Sequence, residues 1–187
     1  MQIIPLPDRG QILLVVTPFV AGEAVFDLTA RLALAGDLEV IDGGNTFNAY
    51  HAVRALQRAA PELPGAVRRL ERVRLARAFT CYQLAALLEA LESKGMASAL
   101  PLLVLDLLAT FGDQGVALPE RRRLLRGCLA GLKRLSDRGH PVGIWVRTRT
   151  VAPEEMTEFQ ARMEQSAGRV WRLHPVLPAA PQQGRLF

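Results

Sequence analysis

Lysine is nearly missing from this sequence, since 21 of its 23 basic residues are arginine. Beside abundant Ala and Leu, that bias fits a GC-rich genome as well as an anionic partner, so a net charge of +5 does not by itself assign nucleic acid. Cysteine is scarce too. Cys81 and Cys128 sit inside apolar helical patterns with no second Cys or His at metal-ligand spacing, which excludes a readable zinc site and points to buried thiols in a reducing compartment. The three histidines, His51, His140 and His174, lie far apart with no Ser or Cys at a nucleophile elbow, and none is given a catalytic role. No long hydrophobic run exists. The longest, Ala97 to Phe111, is broken by Asp106 and is too short to span a bilayer, and no basic segment followed by an apolar one opens the chain. A cytoplasmic protein with no membrane contact and no metal or other cofactor is expected.

What is present is enough apolar residue, half of 187, to fill the core of one domain. Short β-type runs alternate with helical periodicity, the pattern of stacked βαβ units and an α/β fold with a mostly parallel central sheet flanked by helices. Strands are expected near Gln11–Thr17, Leu38–Asp42, Arg72–Arg77, Leu102–Asp106, Val142–Arg147 and Arg169–Leu173. Helices are expected over Ala24–Ala35, Thr46–Ala59, Tyr82–Ser93, Pro119–Asp137 and Pro153–Gln165. Pro119-Glu120 suits a helix start and Gly139 before Pro141 a stop. Residues 1–174 would form the domain. From Pro175 onward three prolines in seven residues predict an extended tail, 175–187, which nevertheless ends on Leu186 and Phe187.

Four stretches, in this order, carry a resemblance that spans most of Gln11 to Leu173. "VIDGGNTF" (Val40–Phe47) is similar to the second-strand segment of RadA-type recombinases. "LARAFTCYQLAALL" (Leu75–Leu88) looks like their Ala-Arg-Ala-Phe segment and the leucine-rich helix after it. "PLLVLDLLATF" (Pro101–Phe111) looks like a Walker B strand ending in Asp106, and "RRLLRGCLAGLKRLSDRGHPVGIWV" resembles the helix and strand that follow. Together they resemble the RecA/RadA recombinase ATPase core, which implies a RecA-like P-loop NTPase fold.

The same alignment shows what that core has lost. A P-loop, Gly-x-x-x-x-Gly-Lys-Ser/Thr, cradles phosphates with backbone N–H groups, neutralises them with Lys and holds Mg²⁺ with the hydroxyl. Here "TPFVAGEA" puts Thr17 at the first Gly, Gly22 at the second, Glu23 at Lys and Ala24 at Ser/Thr. A carboxylate in place of Lys would repel a polyphosphate. Gly44 stands where the family has its water-activating Glu, and Arg147 where it has a phosphate-sensing polar residue. Asp106 keeps the Walker B position, and is read as a strand-end residue facing solvent or capping a turn in preference to a magnesium ligand. The resemblance thus implies a degenerate nucleotide site and a pseudo-ATPase.

Function then moves to surfaces. "QGRLF", with Gln183, Leu186 and Phe187, resembles the peptide by which bacterial repair and replication factors dock on the sliding clamp, Leu and Phe filling an apolar pocket while Gln fixes register. Folding of Leu186 and Phe187 back onto the domain is the competing structural reading. On α-helical spacing Arg122, Arg126 and Lys133 share an exposed side that could meet an anion, with a solvated helix face as the preferred reading. In "RRLERVRLAR" strand alternation keeps Arg72, Arg74 and Arg77 from forming one face, and a solvated edge is read in preference to a DNA path. The stretch from Thr148 to Gly168, where recombinases carry a DNA-contacting loop, has four acids against two arginines and apolar spacing at Met156, Phe159 and Met163, which favours a packed helix. Trp145 is expected in the core and Trp171 on an edge strand. The resulting expectation is a non-catalytic RecA-like adaptor or regulator of bacterial DNA repair or translesion synthesis, similar in role to ImuA-type accessory proteins. Its partners would be the sliding clamp and a repair polymerase or RecA. Alternatives are an ATP-binding recombinase paralogue, a SulA-like cell-division inhibitor and a direct single-strand DNA binder.

Overall fold

The computed structural model describes residues 3–18, 23–93, 99–148 and 152–173. The apolar runs become six strands, β1 Ile12–Pro18, β2 Leu38–Asp42, β3 Val73–Arg77, β4 Leu102–Leu105, β5 Val142–Thr148 and β6 Arg169–Arg172. Five helices join them: α1 Glu23–Ala35, α2 Ala49–Ala59, α3 Cys81–Ser93, α4 Leu118–Asp137 and α5 Glu154–Ser166. Two 3₁₀ turns, Ala66–Arg72 and Leu107–Phe111, carry no periodicity strong enough to read from sequence.

All strand pairs are parallel, in the order β3-β2-β4-β5-β1-β6. Because both faces are covered, β1 and β4 are buried almost continuously along their length and not at alternate residues. Ile12, Leu14, Val104 and Ile144 face α3, α4 and α5, meeting Leu84, Leu125, Leu132 and Phe159. Leu13, Val15, Val40, Leu103 and Trp145 face α1 and α2, meeting Phe26, Leu28, Ala55 and Leu56. Trp145 is core, as expected, and Phe159 and Met163 make α5 a packed helix.

The chain runs outward from β1 to β3 over one face and returns through β4, β5 and β6 over the other, as right-handed crossovers require. Neighbouring strands whose next helices lie on opposite faces, β2 with β4 and β1 with β5, leave crevices at their carboxyl ends, where open parallel sheets hold ligands. One helix start differs from the periodicity. Thr46 and Phe47 are excluded from α2 because their N–H groups bond the Asp42 carboxylate, and Asn48 becomes the cap, accepting from Tyr50 and His51. No described helix is long and apolar enough to cross a membrane.

Candidate degenerate nucleotide site

Four of the seven residues assigned to the nucleotide site by alignment, Thr17, Gly44, Asp106 and Arg147, lie at or just past the carboxyl ends of β1, β2, β4 and β5. β4 stops at Leu105, and Asp106 turns the chain with a left-handed backbone (φ 48°, ψ 48°) into the Leu107–Phe111 turn. Its amide still donates to the Trp145 carbonyl at 2.7 Å, which holds it beside β5. Two residues further along β5, Arg147 lays its guanidinium on that carboxylate. Nε donates to Oδ2 at 2.8 Å, Nη2 bonds the same oxygen, and the Arg147 amide reaches Oδ1 at 3.4 Å.

Asp106 is 5% exposed, so it neither faces solvent nor caps a turn with its side chain, in contrast to the sequence reading. The cause is the strand order. β4 and β5 are neighbours, which brings an Asp and an Arg that are 41 residues apart into one ion pair. The guanidinium also lies 5.6 Å from the Trp145 ring, a cation–π contact that helps to hold it in place.

Gly44 fits against this pair because it has no side chain. A Cβ there would lie 2.6 Å from both Cβ and Oδ2 of Asp106, closer than any real packing allows. Gly43 is pressed in the same way: its amide donates to the Leu105 carbonyl at 2.8 Å, and a Cβ would meet the Asp106 carbonyl at 3.2 Å. The loop after β2 thus packs directly on Asp106. Asp42 fixes that loop from below, accepting from the Thr46 amide at 2.9 Å, the Thr46 hydroxyl at 3.1 Å and the Phe47 amide at 2.8 Å.

At the end of β1, Thr17 is fully buried and accepts a 2.9 Å hydrogen bond from the Trp145 indole, while its carbonyl accepts from Thr148 Oγ1. Its hydroxyl is spent inside the sheet. Gly22 lies outside the described residues. Glu23 is the first residue of α1, where a carboxylate complements the helix dipole, and it lines a small cleft of about 120 Å³ with His51, Arg54 and Arg58 of α2. Ala24 follows it, half-buried against the α1–α2 core. Beside the Asp106–Arg147 pair a cavity of about 400 Å³ opens between the Leu107–Phe111 turn and α5, with Thr148, Gln114 and Glu155 among its polar walls. Among the described residues no group of three or more His, Cys, Asp or Glu side chains is arranged to hold a metal ion.

The α4 cluster is brought together differently from the helical-face reading. Arg122 is taken up by Glu158 of α5 in a bidentate pair, and Lys133 pairs with Asp137, leaving Arg126 to an intrahelical carbonyl. Hydrogen bonding to Arg122 and then Arg162 holds the Glu158 carboxyl below its ordinary value. Gln183, Leu186 and Phe187 lie outside the described residues. What the sequence did not reveal is the internal partnership of the site: Asp106 with Arg147, Thr17 with Trp145, and both glycines with Asp106. Its one visible signal was an Asp and an Arg ending successive strands. No protein-family model matches the chain, and no curated protein matches it in sequence.

Proposed function

We propose that this chain is a RecA-type P-loop fold whose phosphoryl-transfer site has become a structural lock, and that it acts without catalysis, as an adaptor or regulator in bacterial DNA repair. The reading is carried by one observation: the Walker B carboxylate of Asp106 is already neutralised by Arg147 and covered by Gly44. Magnesium would have to displace a guanidinium that makes two bonds to one carboxylate oxygen, at a position where the family's water-activating carboxylate would collide with Asp106. Glu23, in a cleft with residues of α2, supplies no positive charge to a triphosphate.

The fold assignment is supported by the placing of the motifs. The Walker A position ends β1 and the Walker B position follows β4, on either side of β5, at the carboxyl edge where parallel sheets hold ligands. The repair context rests on the sequence resemblance and on the Gln183–Phe187 segment, whose proposed partner is the sliding clamp. Calorimetry of the purified protein against a bacterial clamp, beside the Leu186→Ala/Phe187→Ala variant, tests it. Binding at micromolar affinity or better that the variant loses supports the adaptor role. Equal binding by both, or none by either, removes the clamp from the proposal.

A further inference from the structure

One corner of the sheet gathers a strong excess of positive charge. Residues 49–77, which hold α2, the Ala66–Arg72 turn and β3, contain seven arginines (54, 58, 68, 69, 72, 74 and 77) against two carboxylates, Glu62 and Glu71. Residues 118–138 hold an equal excess, but there every basic residue except Arg126 has an acidic partner.

Three of the seven are engaged with acids of neighbouring elements: Arg58 with Asp27, Arg74 with Glu39 at 2.8 Å, and Arg77 with Asp42 at 3.6 Å. Arg54 lies over the Tyr50 ring. Arg68, Arg69 and Arg72 form no ion pair among the described residues. Gly65, with φ 71°, starts the 3₁₀ turn, which points Leu70 into the α1–α2 core and turns these three arginines outward. They line an open cleft of about 560 Å³ whose other walls include Arg74, Asp37 and Glu71. The strand alternation that separates Arg72, Arg74 and Arg77 in sequence is relieved because Arg72 belongs to the turn, and only Arg77 swings away, toward Asp42 and the Phe47 carbonyl.

We infer that this cleft is a binding surface for the phosphate backbone of double-stranded DNA. Guanidinium forks suit phosphate oxygens. The cleft's uncharged walls are only Pro64 and Gly65, so it lacks the buried aromatic or aliphatic anchor on which protein interfaces depend, and it has no ring on which the bases of a single strand could stack. Contact would be with phosphates alone and independent of sequence. Asp37 and Glu71 in the same cleft keep the affinity modest. This inference is independent of the state of the nucleotide site.

The test is fluorescence anisotropy with a labelled 20-base-pair duplex across a salt series. Three phosphate contacts predict that log K falls against log salt with a slope of roughly −3. Arg68→Ala/Arg69→Ala/Arg72→Ala should weaken binding at low salt by about tenfold or more, whereas Arg123→Ala/Arg126→Ala/Lys133→Ala on α4, an equal loss of charge, should leave it within about twofold. No duplex binding at low salt overturns the inference, and so does equal weakening by both triple variants. Tighter binding of a single strand of equal length, or of polyglutamate through the same arginines, would assign the cleft to a different occupant and overturn it as well.

Discussion

The Asp106–Arg147 pair makes opposite demands on its two members. Asp106 is buried to the point where a lone carboxylate would be costly, and Arg147 retains 22% exposure of its side chain, so removing each partner has a different consequence. Asp106→Ala leaves a partly hydrated guanidinium over Trp145 and should cost about 2–3 kcal/mol, less than a fully buried pair because water can reach the arginine. Arg147→Ala leaves the buried carboxylate unpaired and should cost more, about 3–4 kcal/mol. Urea unfolding of both variants and of the Asp106→Leu/Arg147→Met double variant, which should recover much of the loss, measures the pair. Gly44→Ala should cost about 1–3 kcal/mol by overpacking against Asp106, and a loss of that size should shrink in an Asp106→Ala background where the colliding atoms are gone. These contacts were not legible from residue spacing. Sequence marks both charged residues as strand-end positions, but which strand ends are neighbours is decided by sheet order, and a glycine chosen for close approach looks the same in sequence as one chosen for a turn.

At the scale of elements, sequence was informative where one periodicity ran uninterrupted. α1, α3, α4 and α5 begin within a residue of the expected positions because apolar spacing defines them, and β2 matches at both ends. α2 starts late because a side chain, Asp42, competes for backbone N–H groups, an effect that hydrophobic periodicity does not register. α4 is held from both sides. Leu124, Leu125, Cys128 and Leu132 face the sheet, while Arg134 pairs with Glu92 of α3 and Arg122 with Glu158 of α5. Glu92 and Glu158 both titrate below their ordinary value of 4.5, chiefly through hydrogen bonds from Arg134 and Arg122. A depressed folded-state value means that their contribution is complete above the unfolded carboxylate range and is lost as pH falls through it. Thermal stability should therefore decline below about pH 4.5, and Glu158→Gln should flatten the decline relative to its own neutral-pH value. A pH profile of Tm that is identical in slope for both proteins would show that the α4–α5 pair contributes nothing measurable. Cys81, at the start of α3, and Cys128, in α4, are buried in the same core. Burial pushes Cys128 up to about 12 and raises Cys81, so at pH 8 Cys128 carries about a thousandfold less thiolate than a thiol at the ordinary value of 9.0. Alkylation by iodoacetamide, followed by mass spectrometry, should be negligible in the folded protein and rapid in urea.

For the whole molecule, the order β3-β2-β4-β5-β1-β6 gathers into one edge the ends of strands far apart in sequence, and at that edge Thr17 is bonded by Trp145 and Asp106 by Arg147. The α/β class could be read from alternation alone, whereas the strand order could not, since connection length does not specify which strands become neighbours. This arrangement makes the proposed loss of nucleotide binding a property of several elements, and a thermal test can separate the layers. If Mg-ATP at about a hundred times its dissociation constant bound the folded state alone, it would stabilise the protein by about 2.7 kcal/mol. In a chain of this size that would raise Tm by roughly 5–10 °C. The wild-type protein is expected to show no rise. Glu23→Lys/Ala24→Thr, which restores the missing charge and hydroxyl, should show none either, because Asp106 still belongs to Arg147 and cannot serve the metal. Only when Arg147→Ser is added is Asp106 free, and a rise confined to that triple variant would locate the block in the ion pair and not in the loop. A rise in the wild-type protein would overturn the non-catalytic reading outright. A rise with the P-loop repair alone would show that Arg147 yields to the metal, which would make the lock a reversible gate.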